Sequence, residues 1–124
     1  MGATESRREL IVATIYYSDA PVDAVFVQFF EKTVKPAVTD SGASVLAYFV
    51  SEHSQNTFPA LPVREGENVF AWFARFDDPS AYERHIAALT QYPHWHDQIS
   101  KEHARRLKRE PEILKLSPTT RSLL

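Results

Sequence analysis

Residues 67–76 read Glu67-Asn68-Val69-Phe70-Ala71-Trp72-Phe73-Ala74-Arg75-Phe76, and this stretch decides the fold. Val69, Ala71 and Phe73 alternate with Phe70, Trp72, Ala74 and Phe76. An alternation of two is the signature of a β-strand, and here both alternating sets are apolar, which predicts a strand buried on two sides. Two other stretches share the pattern. In Glu9–Tyr17, Leu10, Val12 and Thr14 alternate with Ile11, Ala13 and Ile15; in Ala43–Glu52, Val45, Ala47 and Phe49 alternate with Leu46, Tyr48 and Val50.

Between and after these strands the period changes to that of a helix. Asp19-Ala20-Pro21 reads as a helix start, since proline tolerates the first turn, where its missing N–H has no partner. Val22, Val25, Phe26, Phe29, Phe30 and Thr33 then recur at three- and four-residue steps, and Pro36 is expected to kink or end that helix. Asp78-Pro79 signals a second helix, with Tyr82, His85, Ile86 and Leu89 on its inner face, broken by Tyr92-Pro93. A further helix over roughly 94–108 carries Trp95, Ile99, His103 and Leu107 on one edge, and Ile113–Leu116 is a last short strand. Residues 55–66, with Pro59 and Pro62, form a long irregular connector, of a length that is often functional or interfacial.

The order β-α-β-β-α-(α)-β predicts an α+β class, ferredoxin-like βαββαβ domain with an extra helix: a four-stranded antiparallel sheet covered by helices on one side. Residues 7–118 are expected to form one such domain, with tails at 1–6 and 119–124. Helices on one side leave the other apolar face open. A patch of Phe, Trp and Val from three strands exceeds what a monomer exposes. A homodimer packed sheet to sheet, closed as a dimeric α/β barrel, is therefore expected. The alternative is that the connector and C-terminal tail fold over the face.

Composition narrows the function. A net charge of −2 and a pI near 6.2 do not resemble a nucleic-acid binder. The basic run Arg105, Arg106, Lys108 and Arg109 is interleaved with Glu102 and Glu110 and reads as a solvated helix face. Cysteine is absent, which excludes disulfides, thiolate metal sites and cysteine nucleophiles and fits a cytoplasmic setting. No signal peptide or membrane-spanning run is visible. With three glycines no phosphate cradle of the usual kind can be built, and no cofactor motif occurs.

From Phe49 onward the sequence resembles the NIPSNAP family of the dimeric α/β barrel superfamily. The resemblance rests on Asn56-Thr57-Phe58-Pro59, Pro62-Val63-Arg64-Glu65, the strand Asn68–Phe73, Tyr92-Pro93-His94-Trp95, and Leu116–Ser122. Glu9-Leu10-Ile11-Val12 keeps only the beginning of the family's opening strand. The resemblance implies a ferredoxin-like fold and dimerisation. It brings no catalytic motif, and a fold alone does not license a function.

Among five histidines, His94 and His96 are two apart and fall on different helix faces, no His-Glu-x-x-His pattern occurs, and His53 has no second ligand near it in sequence. No metal site is expected. His85 is the candidate catalytic residue, because it lies on a sheet-facing helix edge and a histidine there can move a substrate proton; a hydrogen-bonded structural histidine is the plainer reading. Tyr48, Trp72 and Trp95 are candidate walls of a small-molecule pocket between sheet and helices, or core residues. Arg64 is a candidate anion anchor through its planar donor fork, or a surface ion pair.

Three functions stay open: a domain that binds or transforms a small organic molecule, in the manner of the superfamily's cofactor-independent monooxygenases; a non-enzymatic interaction or scaffold module; and an accessory domain that binds a small acid unchanged. Haem-degrading members of the superfamily use a strand asparagine, a strand tryptophan and a helix histidine. Trp72 and His85 match two of these, but Thr14 or Tyr16 stands where the first strand would need asparagine, which argues against haem chemistry.

Overall fold

The computed structural model describes residues 9–51 and 67–118. The elements run β1 (Leu10–Ser18), α1 (Ala24–Phe29), a π-helical turn (Phe30–Val34), α2 (Lys35–Asp40), β2 (Ser44–Val50), β3 (Asn68–Phe76), α3 (Pro79–Thr90), a second π-helical turn (Trp95–Ile99), α4 (Ser100–Arg106) and β4 (Glu112–Leu116). The strands form one antiparallel sheet in the order β2-β3-β1-β4. This is the expected ferredoxin-like α+β arrangement with an added helix.

The helix after β1 starts later than the sequence suggests. Asp23, not Asp19, is the cap: its carboxylate accepts the Phe26 N–H at 3.0 Å, and Ala24 is the first helical residue. Val25, expected on the inner stripe, is 57% exposed, while Phe26, Phe30, Val34, Ala37 and Val38 are buried. Pro36 does not end the helix. The chain stays helical to Asp40, because the wide π turn ahead of Pro36 loosens the backbone where the ring would otherwise meet the carbonyl four residues before it.

The second helix begins as read, with Asp78 accepting the Ala81 N–H at 2.8 Å and Pro79 in the first turn. The third helical segment opens on His94 in the left-handed region (φ 66°), which turns the chain after Tyr92-Pro93. At its far end Lys108 N–H donates to the Tyr17 carbonyl at 2.8 Å, and Leu107 bridges Ser18. This docks α4 against the end of β1.

The core lies between sheet and helices. Phe30 and Phe70 are fully buried with ring centroids 4.9 Å apart, and Tyr16 stacks on Phe70 at 6.0 Å. Such tilted and stacked pairs add about 0.5–1.5 kcal/mol each beyond their burial.

The strands are two-faced, with one correction. The simple alternation expected in β2 is broken by a bulge at Leu46: Val45 pairs with Ala74, but Ala47 pairs with Phe73. One extra residue switches the face of everything after it. Val45 and Tyr48 therefore pack against the helix-side core, and Ala47 and Phe49 fall on the other face. That face also carries Phe73, Ile11, Ala13, Leu114 and Leu116 in register. Phe49 is 60% exposed and meets Phe73 edge to face at 5.9 Å. Ile11 and Ala13 are buried even so, and the half-exposed pair Arg75–Glu9 (2.5 Å) closes one end.

No helix among the described residues is long and apolar enough to cross a membrane. The basic run at and just beyond the end of α4 is paired within the chain: Glu102 binds Arg105 and Arg106, and Glu67 binds Lys108 and Arg109.

Candidate functional site

Docking α4 against β1 brings His103, one turn before Leu107, over Tyr16. Their ring centroids are 4.8 Å apart. Between them, α3 and β3 lies a cavity of about 260 Å³. Its floor is the helix-side face of the sheet, including Thr14, Tyr16, Trp72 and Phe76; its walls include His85, Leu89, Trp95 and His103. Among the described residues, no Asp, Glu, Lys or Arg lines it. The nearby cation of Lys115 sits over the Tyr82 ring at 5.0 Å.

A few polar groups converge in this apolar setting. The Trp72 indole Nε1–H donates to the Tyr16 hydroxyl at 3.0 Å, both residues being buried. Burial pushes the Tyr16 phenol well above its usual range, so it remains a neutral O–H donor.

His85 is held by its Nδ1, which lies 2.9 Å from the Ser41 carbonyl. A carbonyl only accepts, so Nδ1 carries the proton and Nε2 keeps its lone pair. The geometry of the α2 terminus presents that carbonyl. Gly42 follows in a positive-φ conformation (φ 110°), and Ala43 N–H closes on Val38 O at 2.9 Å. Desolvation lowers the His85 pKa, with the bond to Ser41 opposing it.

His103 has a different environment. Its Nε2 is buried with no hydrogen-bond partner among the described residues. Desolvation pushes its pKa down to about 4, against a weaker opposing pull from Glu102. Glu102 is itself occupied by Arg105 and Arg106. Phe29 and Trp95 meet the imidazole edge to face. Trp95, His103 and Pro111 also line a second cavity of about 450 Å³, whose outer side reaches Arg109 and Glu110.

Of the residues singled out from sequence, Trp72, His85 and Trp95 line the cavity together. Tyr48 does not; it lies on the helix-side face but on the edge strand β2, where its hydroxyl donates to Glu31 at 2.5 Å. Arg64 and His53 lie outside the described residues. No group of three His, Cys, Asp or Glu among the described residues could hold a metal ion.

Sequence reasoning missed Tyr16 and His103 as site residues. A signal for His103 was present: it is the one polar residue in the stripe Trp95, Ile99, His103, Leu107. Tyr16 carried none, because an aromatic residue on a buried strand reads as core.

No protein-family model matches the chain, and no curated protein matches it. Solved structures do. A NIPSNAP-like domain protein from Burkholderia xenovorans superposes with a TM-score of 0.73 at 19% identity, over 95% of this chain and 91% of that one. A NIPSNAP family protein of unknown function from Agrobacterium tumefaciens gives 0.71 at 16% identity, over 95% of each chain. A Streptomyces coelicolor monooxygenase, solved in complex with nanaomycin D, gives 0.59 at 12% identity, over 100% of this chain and 99% of that one. The resemblance read from the sequence is borne out in the fold.

Proposed function

We propose that this chain, which has the fold of the NIPSNAP proteins, acts as a cytoplasmic homodimer and binds a small organic molecule between its sheet and helices. The observation that carries the reading is the cavity. It is walled by apolar and aromatic side chains, and His103 on its wall keeps a buried Nε2 with no partner among the described residues. A few placed polar groups in an apolar hollow is the usual form of a small-molecule site. Its volume sits below the ~300 Å³ lower end for drug-sized ligands, which favours a molecule of one or two rings.

Dimerisation is supported by the open sheet face, where Phe49, Leu114 and Leu116 remain exposed. Packing that face on a second copy would remove them from water at roughly 25 cal/mol per Å² of apolar area, before association costs. A second reading, cofactor-independent oxygenation in the same cavity, is supported by the overlap with the Streptomyces coelicolor monooxygenase fold.

Both tryptophans of the chain line the cavity, so their fluorescence reports occupancy. Titration with 1-naphthol, 1-naphthoate and methyl 1-naphthoate should give a saturable change with at least one of them. No response to any of the three would overturn the binding reading.

A further inference from the structure

We propose that the cavity selects an uncharged organic molecule bearing a hydroxyl group and turns away its carboxylate analogues, through two imidazoles, His85 and His103, set in a wall that carries no charged side chain among the described residues. The inference rests on the binding reading above and sharpens its ligand class.

An ion moved into an apolar hollow loses its hydration and needs a counter-charge there. Among the described residues the wall itself carries none, and the nearest cation described, Lys115, is engaged with the Tyr82 ring. His85 and His103 are both held neutral by burial, and Glu102 beside His103 is bonded to two arginines. The second point is the direction of the hydrogen bonds. His85 donates from Nδ1 to Ser41, so its free Nε2 only accepts. A carboxylate, which is all acceptor, meets that lone pair unfavourably; a hydroxyl donates to it.

The third point is His103. Its Nε2 is buried without a partner among the described residues, an unpaired state that costs stability. A hydroxyl answers either tautomer of this ring, because it both donates and accepts; a carboxylate answers only one. The Tyr16 O–H, with its oxygen already taking the Trp72 N–H, supplies the remaining donor to the ligand's oxygen.

Three probes of one shape separate charge from hydroxyl. At pH 7, 1-naphthol should bind saturably, and 1-naphthoate should bind about 100-fold or more weakly, as several kcal/mol of ion desolvation dictates. Methyl 1-naphthoate, which removes the charge but offers no hydroxyl, should fall between them. His103→Leu should weaken 1-naphthol about tenfold, the scale of one hydrogen bond, and weaken the ester, which can meet only one tautomer, by less. His103→Gln, which keeps a donor and an acceptor, should retain more affinity than the leucine variant. Circular dichroism checks that each variant folds.

If 1-naphthoate binds as tightly as 1-naphthol, the charge selection is overturned while the binding reading survives. If His103→Leu weakens naphthol and ester equally, the hydroxyl contact is overturned. If no probe binds, the binding reading falls and takes this inference with it.

Discussion

The Trp72 indole N–H meets the Tyr16 hydroxyl at 3.0 Å across two neighbouring strands, inside the core and at the floor of the cavity. It couples β1 to β3 through side chains as well as through the ladder. Trp72→Phe should destabilise the protein by about 1–3 kcal/mol, since the Tyr16 hydroxyl would keep its burial and lose its partner. Tyr16→Phe should have a similar effect. The double variant should be more stable than the sum of the singles implies, because it leaves no orphan. Urea midpoints of the four proteins check this; strict additivity would refute it.

His103 gives stability a pH dependence of known sign. Its pKa is about 4 in the folded chain against 6.5 for the free side chain. Between those values the unfolded chain takes up the proton and the folded chain does not, so stability falls as pH drops from about 6.5 to about 4. The loss at the lower end is about 3 kcal/mol from this group. His85 shifts in the same direction and adds to it. Denaturation midpoints measured from pH 7 to pH 4 should fall in the wild type and fall less in His103→Leu. A flat wild-type profile would contradict the burial argument.

Phe49 stands 60% exposed on the open face, on the edge strand β2 and edge-on to Phe73. Phe49→Asp should leave the fold intact, since the side chain lies outside the helix-side core, and should convert a dimer to a monomer in sedimentation velocity. A wild-type chain that sediments as a monomer at high micromolar concentration would remove the dimer from consideration.

Gly42 holds a positive φ of 110° at the end of α2. Among the described residues a Cβ there meets only the His85 Cβ, at 3.9 Å, an ordinary contact. The obstacle to Gly42→Ala is therefore backbone strain, of about 1–3 kcal/mol. A thermal melt should show the loss, and an unchanged melting temperature would mean the turn relaxes at no cost.

The sheet was legible in the sequence because β1 and β3 alternate without interruption, and Asp78-Pro79 marked its helix start to the residue. What stayed hidden depends on contacts that sequence spacing does not encode. The Leu46 bulge shifts the register of β2 on β3, and the edge position of β2 keeps Tyr48 out of the cavity it was expected to line. The π turn before Pro36 looks from sequence like a break. Trp72, His85 and Trp95 could be grouped because each sits on an inward-facing period. His103 came to the site through the docking of Lys108 on Tyr17, a contact between residues 91 positions apart in the chain, and Tyr16 was indistinguishable from core until its hydroxyl was seen to be bonded.

The strand order has a kinetic consequence. β1 and β3 each have a strand on both sides, whereas β4 is held by β1 alone, and all five of its residues are exposed. Local unfolding takes the least protected ladder first, which here means peeling β4. Ile113 of that strand and Pro111 just before it line the cavity. The wall that fluctuates most readily is thus also the one whose departure opens the interior, so amide exchange at residues 113–115 and the passage of a ligand would be clocked by the same opening event.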